Sequence, residues 1–222
     1  MGIAQWCTEL TALPGEVWLR YRLTREPLRG KLSREDYAVL YRAAEECGSA
    51  LAGKLRQKYG DVPPEELAEA LGVRLEYPRQ EQPGGLGDFA CFQEPDLIRV
   101  YPDNARDTQA LLEAAGADEA VSGVDICRML LCHELFHVLQ FREPALFVNQ
   151  PHIRLWKLGR WERRSRLVSL EEAAAAAFTR ELMGLPFHPC VFDVLMLLPH
   201  AGEAARGLYL ELMDTLEELE NG

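Results

Sequence analysis

Seven consecutive residues, Leu131-Cys132-His133-Glu134-Leu135-Phe136-His137, restrict what this chain can fold into more than any other part of it. His133 and His137 stand four positions apart, so a helix through this run places them one turn above each other on one face. Ile126, Met129, Leu130, Leu135, Val138 and Leu139 surround them with apolar side chains on almost every side, which predicts a buried helix from about 125 to 141. Burying two imidazoles and a carboxylate without partners is costly. A metal ion removes that cost, because two imidazoles at this spacing can both reach a zinc ion at about 2.0–2.1 Å. Glu134 lies about 100° round the helix from His133, beside such an ion rather than on it. There it can take a proton from water that the metal activates.

A catalytic zinc usually has three protein ligands and one open position. The third ligand is sought in Ser169-Leu170-Glu171-Glu172, at the start of a helix expected from about 170 to 183. The alanines Ala173 to Ala177 follow, a smooth face that would let another helix approach closely and bring a carboxylate against the histidine pair. Glu172 is the first choice. Ser169 and Glu172 also spell the capping box S-x-x-E, and one carboxylate cannot fully serve both a cap and a metal. Glu171 is then the alternative, followed by Asp193, His152, His188 and His200. Cys127 and Cys132 read as core packing, and His188 and His200, each beside a proline or at a helix boundary, as structural.

Size and charge narrow the function. A chain of 222 residues can bury a real core without disulfides. A net charge of -11 argues against a nucleic-acid partner for the molecule as a whole, since phosphate neutralisation needs Lys and Arg. No apolar run reaches the ~18 residues of a membrane span, and MGIAQWCTEL lacks the basic and apolar regions of a signal peptide. Six scattered cysteines without a CxxC pair read as free thiols. The expectation is a cytoplasmic protein with no membrane partner. One stretch departs from the acidic trend: Arg154, Lys157, Arg160, Arg163, Arg164 and Arg166 face a single acid, Glu162, with Trp156 and Trp161 interleaved. It reads first as a solvated loop whose arginines pair with the acid-rich remainder. The alternative is a patch for an acidic peptide, a partner protein or nucleic acid.

Periodicity supplies the remaining organisation. Residues 1–32 read as a packed arm or helical lead-in. Ser33 caps a long helix whose buried face is expected to hold Tyr37, Leu40, Ala44, Cys47, Leu51 and Leu55, ended by Gly60. A short helix runs from Pro63-Pro64 to Gly72. Strands are expected at 73–77, 88–92 and 96–101, with Pro83-Gly84-Gly85 as a turn. Asp103 is expected to cap a helix to about 115, residues 142–168 to form a long irregular stretch, and 190–198 and 202–220 to form two closing helices. The domain reading is 1–32 as lead-in, 33–190 as the main domain, and 191–222 as helices packed on it.

Taken in order, several of these segments carry a resemblance: Glu65 to Val73, the glycines of Gly84-Gly85-Leu86-Gly87, the strand Leu97-Ile98-Arg99-Val100-Tyr101, the HExxH helix, Glu172, and Phe178 to Pro186. The chain resembles the ImmA/IrrE-type zinc metallopeptidases, a gluzincin-like family, over about 62–186. It departs from them at Phe136, where HELGH has glycine, and at Ala174, where part of the family has a second glutamate. One extra residue stands in the ending, and the 142–168 insert is long. The resemblance implies an α+β, helix-rich, zincin-like domain with a small sheet of about three strands packed on the HExxH helix. It implies Zn2+ held by His133, His137 and Glu172, Glu134 as general base, and hydrolysis of a protein or peptide substrate such as a regulatory protein. Tyr101, His152 or an arginine of 154–166 would assist the oxyanion. The rival expectation is a non-catalytic interaction protein that uses the same scaffold around a structural zinc.

Overall fold

Prolines punctuate the start of the chain into two helices, α1 (Ile3–Thr11) and α2 (Gly15–Thr24), the second preceded by Pro14 in extended conformation. The computed structural model describes residues 2–79, 89–117 and 119–221. The lead-in contributes to the main core rather than lying on it: Cys7, Leu10, Val17 and Trp18 are fully buried. Ser33 then accepts the Asp36 amide at 3.0 Å and caps α3 (Arg34–Tyr59), which Gly60 ends with φ near 79°. After α4 (Pro64–Ala70) the period changes to two, and β1 (Arg74–Glu76), β2 (Ala90–Gln93) and β3 (Leu97–Val100) form one sheet in the order β1-β3-β2. β1 runs parallel to β3 and β2 antiparallel to it. The expected turn at 83–85 and the glycines 84–87 lie outside the described residues.

The rest of the chain is mainly helical: α5 (Pro102–Ala114), α6 (Glu119–Ser122), α7 (Ile126–Arg142), α8 (Val168–Met183), α9 (Val191–Leu195) and α10 (Gly202–Glu220). The fold is α+β. The sheet packs on α7 through β2 and β3, and α7 packs on α8, which lies along α3. Among the described residues, no helix is long and apolar enough to cross a membrane.

Three expectations need correction. Asp103 does not cap α5; Tyr101 holds the capping position, because Pro102 occupies the first helical site where its fixed φ belongs. Residues 142–168 are not irregular throughout. They contain a hairpin of β4 (Ile153–Leu158) and β5 (Trp161–Ser165), turned at Gly159 with φ near 58°. Only Ile153 of the hairpin is buried, with Leu155 and Ser165 partly so, and the apolar alternation that would announce strands stops there. The buried seam of α3 runs through Tyr37, Tyr41, Ala44, Gly48, Ala52 and Leu55, rather than through Leu40, Cys47 and Leu51, which are only partly buried. Small residues at this seam let α8 and its alanines approach at backbone distance.

His188 ties the lead-in to the closing helices. Its ring stacks on Trp18 with centroids 5.1 Å apart, and its Nδ1 accepts the Cys190 amide. Burial, with the charges of Arg22 and Arg180 nearby, lowers its pKa from 6.5 to about 3. Between those two values the unfolded chain binds a proton that the folded chain does not. Stability therefore falls as pH drops through this window, by up to ~1.4 kcal/mol per pH unit. His188→Gln should flatten the pH slope of the urea midpoint; an unaltered slope would assign the acid lability to other groups.

Candidate metal centre

Asp125 accepts the Arg128 amide at 3.0 Å and starts α7, so His133 and His137 fall on the helix face turned to α8. Phe136 is fully buried and packs on Phe178 of α8 with ring centroids 5.8 Å apart. The bulky residue that replaces glycine in the resemblance thus fills space between the two helices and leaves the histidines facing outward from it.

α8 begins two residues earlier than the capping-box reading requires. Leu167 is its N-terminal boundary residue, and Ser169 lies inside the helix. The helix end is capped from a distance: Glu26, buried to 1% exposure, accepts the Ser169 amide at 3.0 Å and the Ser169 hydroxyl at 2.8 Å through Oε2. Its other oxygen accepts the Leu28 amide. The negative charge also suits the positive end of the helix dipole. Ser169 and Glu172 therefore form no capping box, and Glu172 is free to turn towards α7.

It does so. Glu172 Oε2 lies 3.3 Å from His133 Nε2, Glu172 Oε1 lies 3.6 Å from His137 Nε2, and the two Nε2 atoms are 3.2 Å apart. For ligands at about 2.0–2.1 Å from a tetrahedral ion, donor atoms stand about 3.3 Å from one another. The three donors match that spacing, and these residues can hold a metal ion. Burial pushes the Glu172 carboxyl up, but the His133 hydrogen bond and the neighbouring histidines outweigh it and hold the group well below the usual carboxylate range. Burial likewise pushes His133 down, and Glu172 more than offsets it, raising the imidazole above its ordinary value. The carboxylate is charged and ready for a cation.

A polar chain behind His137 fixes its ring. Gln140 Oε1 can only accept, so at 2.9 Å from His137 Nδ1 it fixes the proton there and leaves the Nε2 lone pair towards Glu172. Gln140 Nε2 donates to Asn149 Oδ1, which also accepts from Arg166. Asn149 Nδ2 donates to the carbonyl oxygens of Gln140 and Glu143. Breaking such support typically lowers metal affinity 10–100-fold. Gln140→Ala should do so in a competition titration against a chromophoric chelator; unchanged affinity would deny the orienting role.

The remaining candidates separate cleanly. Glu171 turns away to Arg166 at 3.8 Å, although both border the cleft. His152 bonds the Phe147 carbonyl and lies tilted against the Phe147 ring. Asp193 accepts the Tyr21 hydroxyl, His188 is buried against Trp18, and His200 lies near Asp107. Cys132 is fully buried. Glu134 lines the cleft on both sides of the histidine pair and is outside the donor group. Of the residues offered for the oxyanion, Arg166 borders this cleft; Tyr101 and His152 do not line it. Gln140 could have been found from its position three residues after His137 on the same face. Glu26 and Arg22, which also reaches the cleft, carry no local signal.

Compared with protein-family models, with characterised proteins and with solved structures, the chain gives no match.

Proposed function

We propose that this protein is a zinc-dependent metallopeptidase acting on a protein or peptide substrate. The observation that carries this reading is an incomplete ligand shell. Three donors converge, no fourth His, Cys, Asp or Glu among the described residues joins them, and the open side faces a cleft with Glu134 beside it. A structural zinc is normally closed by four protein ligands, whereas a catalytic one keeps a position for water. Two imidazoles and one carboxylate suit zinc.

His133, His137 and Glu172 would hold the ion, which when bound supplies Lewis acidity to water and to a substrate carbonyl. Glu134 takes the proton of the attacking water and returns it to the leaving amine, so one carboxylate serves as base and then acid. Gln140 keeps His137 in the tautomer that this arrangement needs. Arg166, held by Asn149 and Glu171 at the cleft wall, is the cation best placed to meet a substrate carbonyl. The outer strand β2 contributes Ala90, Cys91 and Phe92 to the cleft, and its edge opposite β3 has no strand partner among the described residues. An extended peptide can pair along such an edge. All six cysteines are free thiols, in keeping with a reducing, cytoplasmic setting.

The test is cleavage of a denatured proteome by the zinc-loaded protein, with new N-termini mapped by mass spectrometry. Zinc-dependent cuts at a narrow set of sequences are expected. Identical termini with zinc-loaded and zinc-stripped protein would leave the second reading, an interaction protein on this scaffold. That reading draws on the β4–β5 hairpin, where Trp156, Leu158 and Trp161 are exposed.

A further inference from the structure

Beside the metal centre the cleft deepens into a pocket of about 300 Å³. α7 gives it Met129 and Leu130, α8 gives Ala176 and Thr179, and α9 gives Asp193. Arg22 of α2 reaches it from the lead-in. His133, Glu134 and Glu172 border it on the side of the metal centre; away from them the wall is mostly apolar, and there Arg22 and Asp193 bring in two opposite charges.

Neither charge is fully used. Arg22 is buried, with its side chain 11% exposed. Its Nη2 donates to the Cys190 sulfur at 2.9 Å and its Nε is buried, whereas its Nη1 makes no hydrogen bond among the described residues and is the donor left to the pocket. Burial pushes the Cys190 thiol well up, so the sulfur is neutral and a weak acceptor. The nearest carboxylate oxygen that pairs with Arg22 is Asp193 Oδ2 at 3.7 Å, beyond a hydrogen bond. That oxygen accepts the Tyr21 hydroxyl at 2.8 Å, whereas Asp193 Oδ1 makes no hydrogen bond among the described residues. The pocket therefore presents donor capacity and acceptor capacity side by side, with no net charge between them.

We propose that this pocket selects a primary-amide side chain, that of glutamine, on the substrate residue next to the scissile bond; this rests on the peptidase reading above. The amide oxygen accepts from Arg22 and the amide nitrogen donates to Asp193, while the methylene stem lies against Met129 and Leu130. Each alternative loses something. A carboxylate gains Arg22 but meets Asp193, and an ammonium gains Asp193 but meets Arg22. An aliphatic side chain strips water from both without replacing it. Sites that hydrogen-bond a substrate group discriminate strongly against analogues that lack it.

Four dipeptide hydroxamates that differ only in the side chain next to the chelating group (glutamine, glutamate, leucine or lysine) would be titrated calorimetrically onto zinc-loaded protein. The glutamine compound is expected to bind at least ~10-fold more tightly than the other three, a deliberately low bound because Asp193 is partly exposed. Arg22→Met should erase its advantage over the leucine compound. Asp193→Asn, at a partly exposed position, should remove the repulsion and bring the glutamate compound level with or ahead of the glutamine one. Equal binding of all four by the wild type, or a different compound binding tightest, overturns the pocket assignment and leaves the peptidase reading intact. Failure of every hydroxamate to bind protein that retains one zinc overturns both.

Discussion

Glu134→Gln protein is expected to bind one zinc with wild-type affinity and to lose peptide hydrolysis. The two halves of this result have separate causes. Affinity survives because the donors are His133, His137 and Glu172, and Glu134 is not among them. Glutamine also has nearly the same shape, so α7 and the buried Leu135 and Phe136 beside it keep their packing. Hydrolysis fails because a carboxamide cannot accept the proton of the attacking water or deliver it to the amine; general acid–base catalysis is typically worth 10²–10⁴-fold. Zinc stoichiometry by mass spectrometry and cleavage of a peptide taken from the proteome map check the two halves on one preparation. A variant that keeps full turnover would remove Glu134 from the chemistry. A variant that loses zinc would make it a ligand. Glu172→Gln should behave in the opposite way, since it removes the only anionic donor: zinc affinity falls first and activity follows it.

The histidine pair of the candidate metal centre was legible because its information is local. Two histidines one turn apart need only the helical period, and the apolar flanks supply the reason for burial. Glu172 was legible with a competing interpretation, the capping box with Ser169. That interpretation failed for a reason no local pattern contains: the cap is Glu26, 143 positions from Ser169. The same distance hid Arg22. A helix near the N-terminus with four buried residues looks like a lead-in until the chain closes and carries its arginine to the metal cleft. The hairpin at 153–165 was hidden for a different reason. Its strands pair Arg154 with Arg164 and Trp156 with Arg163, all exposed, and only Ile153 at the base is buried, so the alternation that marks a half-buried strand stops almost as soon as it starts. The seam of α3 shows a third limit. Periodicity located the helix, but its deepest contact follows the smallest residues, Ala44, Gly48 and Ala52, rather than the larger Leu40 and Leu51.

That seam makes Gly48 the position where a small change should have the largest structural effect. α3 lies along α8 so closely that a Cβ at Gly48 would run into the carbonyl oxygen of Ala174, a backbone atom that cannot rotate away. Gly48→Val must therefore push the helices apart. Overpacking a core commonly costs 1–3 kcal/mol, and a collision with backbone belongs at the upper end or beyond it. For a chain of this size about 3 kcal/mol lowers the melting temperature by roughly 6–12 °C. The displacement also reaches the metal centre. Ala174 is two residues beyond Glu172 on the same helix, while His133 and His137 stay on α7, so the donor spacing opens and zinc affinity should fall with stability. Gly53 supplies the control from within α3. It is exposed, and a Cβ there meets nothing within 4 Å. Gly53→Ala should stabilise the protein by about 0.5–1 kcal/mol through helix propensity and leave zinc affinity unchanged. Calorimetric melting and zinc competition on both variants test the contrast. If Gly48→Val melts and binds zinc as the wild type does, the close seam between α3 and α8 is not what holds Glu172 against the histidine pair.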